Sequence, residues 1–97
     1  MSVHKTQKWK NKRAKILRRD GYICQECKRF GKRHDAEMVH HIYPVETHPH
    51  LAFVNDNLVS LCNVKHNTMH DRVTNEITEA GKRWQIKVSP LLQAYKL

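Results

Sequence analysis

The sequence predicts a small α+β fold in one domain: a basic N-terminal helix, two short strands followed by a helix, and short C-terminal helices. Three observations predict it. At 97 residues and 11.5 kDa the chain holds one core and no second. Trp9, Ile16 and Leu17 recur at helical spacing among Lys and Arg, which marks an amphipathic helix near the start. Two apolar segments of strand-like composition, 37–42 and 57–62, then precede a helical pattern that begins at Asn63.

In chain order, Thr6 caps a helix over 6–19 and Asp20-Gly21 ends it with a turn. Tyr22 to Cys27 reads as a short strand and knuckle, followed by a basic loop through Gly31. Glu37 to Ile42 reads as a strand closed by Pro44, and 45–56 as a loop containing Pro49. Asn57 to Cys62 is a short apolar strand or turn. The helix from Asn63 is expected to reach about Val73, which sets His66 and His70 one turn apart on one face. Ile77 sits in a short helix ended by Gly81, and Ser89-Pro90 opens a last turn before Leu91-Leu92. The domain is expected to span 1–97, with its core at about 22–73 and an extension at 74–97.

Composition excludes several classes. Only 39% of the residues are hydrophobic, so the core is thin, and chains this small often add a metal or crosslink. No apolar run approaches the length of a membrane span. Met1-Ser2-Val3-His4-Lys5 lacks the apolar stretch of a secretory signal. Three cysteines, two of them close together, read as thiols or metal ligands in a reducing compartment, so the cytoplasm is expected. The net charge of +9 is unevenly placed: residues 1–33 carry twelve basic side chains against two acids. Such a block is the footprint of a nucleic-acid binder. Lys12, Arg13, Arg18, Arg19, Arg29 and Arg33 are the expected DNA contacts.

The histidines crowd the middle of the chain. On a strand, the neighbours His40 and His41 point to opposite faces, so one imidazole can bind a metal while the other faces water or substrate. His66 and His70, on one helix face, can offer two nitrogens to one ion. Asn57 lies between the two groups, where it serves as a turn residue or holds a neighbouring imidazole in the correct tautomer.

His40-His41-Ile42-Tyr43-Pro44, Asp56-Asn57-Leu58-Val59-Ser60-Leu61-Cys62 and His66-Asn67-Thr68-Met69-His70-Asp71-Arg72 together resemble the HNH endonuclease family. The likeness is greatest to small free-standing enzymes encoded by tailed bacteriophages near their DNA-packaging genes. Trp9, Ile16 to Tyr22 and the Cys24-Gln25-Glu26-Cys27 knuckle are similar to the lead-in of those proteins, so the resemblance runs from about Trp9 to Gly81. It implies the ββα-metal fold and DNA hydrolysis with one divalent cation (Mn, Ni, Co, Zn or Mg). It makes His41 the general base, Asn57 the residue that orients it, and His40 and His66 the metal ligands, with His66 also counted in the catalytic set. His70 is a third ligand or a phosphate contact.

The resemblance also implies a structural zinc on two CxxC pairs. Here Cys24, Cys27 and Cys62 are present and Lys65 stands at the fourth position. Either a histidine such as His34 substitutes, or the three cysteines pack as small apolar groups. The expected partners are DNA and, through the phage likeness, a terminase, with no membrane. The alternative reading is a non-catalytic zinc-knuckle DNA-binding module or a terminase accessory protein.

Overall fold

The computed structural model describes residues 5–71, 73, 74 and 76–95. Met1 to His4, Arg72, Asn75, Lys96 and Leu97 lie outside the described residues. At the centre is an antiparallel pair, β1 (Met38–His41) and β2 (Leu58–Leu61), with Met38 opposite Leu61 and His41 opposite Leu58. Because side chains alternate along a strand, the pair has two unlike faces. Val39 and Leu58 meet Trp9, Ile16 and Leu17 of α1 (Gln7–Arg19) on one face. Val59 and Leu61 join Met69, Trp84, Val88 and Leu92 on the other. A two-stranded sheet is marginal in water, and burial on both faces is what holds this one.

Helix α1 starts where the sequence places it: the Thr6 side chain accepts a hydrogen bond from Trp9 N at 3.1 Å. It ends in a Schellman-type turn, with Tyr22 N donating to Leu17 O at 2.9 Å and Gly21 at φ +64°. The turn brings Arg19 and Asp20 against the outer edge of β2. Asp20 Oδ2 accepts from Ser60 N at 3.0 Å, and Arg19 Nη2 donates to Leu58 O at 2.7 Å. Two side chains thereby supply the hydrogen bonds that a third strand would, which closes an edge that would otherwise invite pairing with another chain.

Five expectations change. The segment Tyr22 to Cys27 is not a strand: Ile23 makes an isolated bridge to Asp35, and α2 (Gln25–Arg29) begins at once behind Cys24. The Cys24 sulfur accepts from Cys27 N at 3.4 Å, a local bond that favours a helix start over extension.

Asn57 ends a 3-10 turn, Asn55–Asn57, instead of opening the second strand. Helix α3 (Asn63–Asn67) stops well short of Val73. Thr68 Oγ1 bonds back to Lys65 O at 2.7 Å, and Thr68 O accepts from Thr78 Oγ1 at 2.5 Å. The chain then turns and pairs His70 with Ile77, so His66 and His70 do not share a helix face.

Gly81 does not end a helix. It lies buried in the first turn of α4 (Glu79–Val88), capped by Thr78, whose side chain accepts from Gly81 N. Ser89-Pro90 continues that helix as a 3-10 run, Ser89–Tyr95, and caps nothing new.

Glycine is required at 81 because α4 crosses the chain closely there. A Cβ would sit 2.6 Å from Ile77 Cγ2 and 2.7 Å from Met69 O. Helix propensity alone would make Gly81→Ala stabilising by about 1 kcal/mol. The contact with a backbone oxygen reverses the sign, and overpacking of this kind costs about 1–3 kcal/mol. Thermal unfolding of Gly81→Ala should therefore show a melting point several degrees lower; a higher one would mean that the crossing is looser than described.

Candidate active site and metal centres

His40 and His41, neighbours on β1, serve opposite faces of the sheet. His41 turns to the α1 side, where its ring stacks on Trp9 with centroids 4.6 Å apart and planes at 25°. Its Nε2 lies 3.0 Å from Ala52 O. A carbonyl only accepts, so Nε2 carries the hydrogen, and in the neutral ring the lone pair falls on Nδ1.

His40 turns to the α3 side. Its ring centroid is 5.4 Å from that of His66 and 5.7 Å from that of His70. The three expected ligands are thus brought together, although His70 arrives from the segment beyond α3. Burial, reinforced by the nearby His66, His70 and His41, pushes the His40 pKa down to about 3. At neutral pH its imidazole is uncharged and can donate a lone pair to a cation. All four imidazoles line one cleft, together with Glu46, Glu76 and Lys82.

Asn57 is fully buried, and its amide is taken up by main chain. Its Oδ1 accepts from Tyr43 N at 2.8 Å, and its Nδ2 donates to Tyr43 O at 3.1 Å and to Leu51 O at 3.2 Å. The carbonyl that meets His41 belongs to Ala52, the next residue along. The influence of Asn57 on His41 accordingly runs through the fixed 51–52 backbone.

A second cluster lies between α2 and α3. Cys24, Cys27 and Cys62 are buried and free of disulfides, their sulfurs all within 4.8 Å of one another, a group able to hold a metal ion. Burial pushes the Cys27 thiol up to about 12, with the adjacent Cys24 and Cys62 sulfurs adding to it. Burial also opposes ionisation of Cys24, yet hydrogen bonds from the Cys62 and Cys27 amides bring that thiol below its ordinary value. His34 Nδ1 stands 3.2 Å from Cys27 Sγ. Lys65 instead holds its ammonium 5.4 Å from the centroid of the Phe30 ring.

The basic residues divide into two groups. Lys12 donates to Asn55 Oδ1 at 2.6 Å, Arg13 to Glu37 O at 2.8 Å, and Arg19 to Leu58 O and Asn55 O. These three stitch α1 to the sheet and its loop. Arg18, Arg29 and Arg33 are exposed, Arg29 lies 3.6 Å from the buried Glu26, and Arg33 lines a groove with Lys28 and Lys32. Two contributors were missed by sequence reasoning. Trp9 carried a helical-spacing signal that marked it only as core, and nothing in the sequence distinguishes the Ala52 carbonyl.

Among curated proteins none matches the chain. Among solved structures it is similar to the HNH endonuclease of the deep-sea thermophilic bacteriophage GVE2, crystallised with a manganese ion. The two are 34% identical, the match covers 66% of this chain and 70% of the other, and the TM-score is 0.65. The profile of the HNH endonuclease family matches residues 24–72, which take in β1, β2, α3, the three cysteines and all four cleft histidines. The chain belongs to the HNH endonuclease family.

Proposed function

We propose that this chain, as a single nuclease domain, is a metal-dependent DNA endonuclease that hydrolyses phosphodiester bonds with His41 as general base. The observation that carries the reading is the pairing of one imidazole pinned by a backbone carbonyl with three imidazoles gathered beside it. His41 Nδ1 takes the proton of the attacking water, a task suited to imidazole at cellular pH. Trp9 stacked on the ring and Ala52 O bonded to Nε2 hold it in orientation, and Asn57 fixes the backbone behind them.

His40, His66 and His70 would hold one divalent cation. The donor set fits, since neutral imidazoles suit Mn, Ni, Co and Zn better than Mg, which prefers oxygen. When bound, such an ion supplies Lewis-acid stabilisation of the phosphate charge. The similar structure from phage GVE2 contains manganese.

The exposed cations around Arg18, Arg29 and Arg33 hold DNA through its phosphates, with little sequence information. The finer reading places the enzyme in the host cytoplasm as a phage product acting beside a terminase. The bacteriophage source of the similar structure supports the phage part of that reading. Among the described residues no helix is long and apolar enough to cross a membrane.

Incubating the purified protein with supercoiled plasmid tests the reading. Cleavage should require a divalent cation, stop with chelator, and proceed without a protein partner; plasmid left intact with every cation would return the chain to the DNA-binding class. His41→Ala should lower the cleavage rate by roughly two to four orders of magnitude with DNA affinity retained, and a rate within threefold of wild type would remove His41 from the role. His40→Asp should move the metal preference towards Mg; an unchanged metal profile would count against His40 as a ligand.

The two groups of basic residues should behave differently. Changing Arg18, Lys32 and Arg33 to Gln should weaken DNA binding and shrink the slope of log affinity against log salt, by up to about 0.9 per lost phosphate contact. Turnover at saturating DNA should stay near wild type. An unaltered slope in a folded variant would mean that DNA is held elsewhere.

A further inference from the structure

We propose that His34 is the fourth ligand of a structural zinc ion held by Cys24, Cys27 and Cys62, in the position that Lys65 cannot fill. The ion would be bound whether or not the cleft cuts DNA, so the inference stands apart from the nuclease reading.

The two short helices are built alike. Cys24 is the N-cap residue of α2 and Cys27 lies three positions on; Cys62 is the N-cap residue of α3 and Lys65 lies three positions on. A fourth sulfur at the second position would complete a symmetrical site. The lysine there is a cation with no lone pair to give, and it lies over the Phe30 ring. The missing donor comes from another element.

After α2 the chain folds back over the knuckle. Lys32 N donates to Cys27 O at 3.0 Å, and Cys24 N donates to His34 O at 2.8 Å. These bonds set residue 34 beside the first cysteine pair, and its Nδ1 stands 3.2 Å from the Cys27 sulfur.

The three sulfurs stand at separations suited to one small ion, while His34 lies at the edge of that group, against Cys27, and would close in as the ion binds. With zinc–sulfur bonds of about 2.3 Å, two sulfurs on a tetrahedron stand about 3.8 Å apart, and a sulfur and an imidazole nitrogen about 3.6 Å. Cys27 Sγ and Cys62 Sγ are 3.8 Å apart, and His34 Nδ1 is 3.2 Å from Cys27 Sγ. Three buried sulfurs and one imidazole are a common structural zinc set. The ion would tie α2 to Cys62, the residue at the head of α3, and α3 carries His66. It therefore braces one side of the histidine cleft from below.

Metal content and cobalt absorption of the folded full-length protein test the proposal. Wild type should carry one zinc per chain after removal of cleft-bound metal, and the cobalt-substituted form should show the tetrahedral spectrum of three sulfurs and one nitrogen. His34→Ala should weaken zinc on the order of 100-fold in competition with a chelator, roughly one ligand's share of the binding energy of structural zinc. Adding Lys65→Cys to His34→Ala should restore binding with a four-sulfur cobalt spectrum. If His34→Ala does not fold, wild type and His34→Cys decide, since the spectrum must change from three sulfurs and one nitrogen to four sulfurs. Zinc-free folded wild type would overturn the proposal. So would a cobalt spectrum without nitrogen, or unchanged zinc affinity in folded His34→Ala.

Discussion

The amide of Asn57, buried without exposure between two loop segments, is the interaction on which the rest of the site depends. It bonds both main-chain groups of Tyr43 and the carbonyl of Leu51. The excursion from Ile42 to Asn57 is thereby closed on itself, and Ile42 N adds a 2.9 Å bond to Asn57 O at its neck. Fixing Leu51 fixes Ala52, whose carbonyl meets His41. Loss of the amide would leave buried backbone groups unsatisfied, each costing about 1–3 kcal/mol. It would also unfasten the carbonyl to which His41 Nε2 donates.

The division of labour between the faces of the sheet has a separate origin, in the strand itself. The period of two along β1 sends His41 to α1 and His40 to α3. The aromatic face of Trp9 therefore belongs to the His41 side, while the three clustered imidazoles occupy the other. Helix α1 lies outside the segment that the family profile matches, yet it supplies the ring stacked on His41 and the Arg19–Asp20 pair that completes the edge of β2. Its positive charge thus serves two ends. Lys12, Arg13 and Arg19 are engaged with backbone and loop, and Arg18 stays exposed, one of the cations proposed to meet phosphate.

Much of this arrangement was legible in the residues. Helix α1, both strands and the order of His40, His41, Asn57 and His66 follow from periodicity and motif, because each depends on local pattern. The misreadings have two physical sources, local side-chain bonds as at Cys24 and Thr68 and contact between distant segments as at Gly81. Apolar spacing carried the third helix on to Val73, but side-chain bonds from Thr68 and Thr78 stop it at Asn67. Gly81 has the look of a terminator and is instead a place of close crossing. His70 keeps its place near His40 by a β-bridge to Ile77, not by helical spacing. The contact between His41 and Ala52 has no sequence signal at all, since any residue offers the same carbonyl.

Base chemistry from this geometry needs the lone pair on Nδ1, so the state of the His41 ring decides it. Long-range proton–nitrogen correlation spectra of the folded protein, with histidine nitrogens labelled and His41 assigned by substitution, read that state without any assay of cleavage. The expected result is a neutral His41 protonated on Nε2, with the nitrogen shift of an unprotonated Nδ1. A His41 protonated on Nδ1 instead would contradict both the bond to Ala52 and the role built upon it.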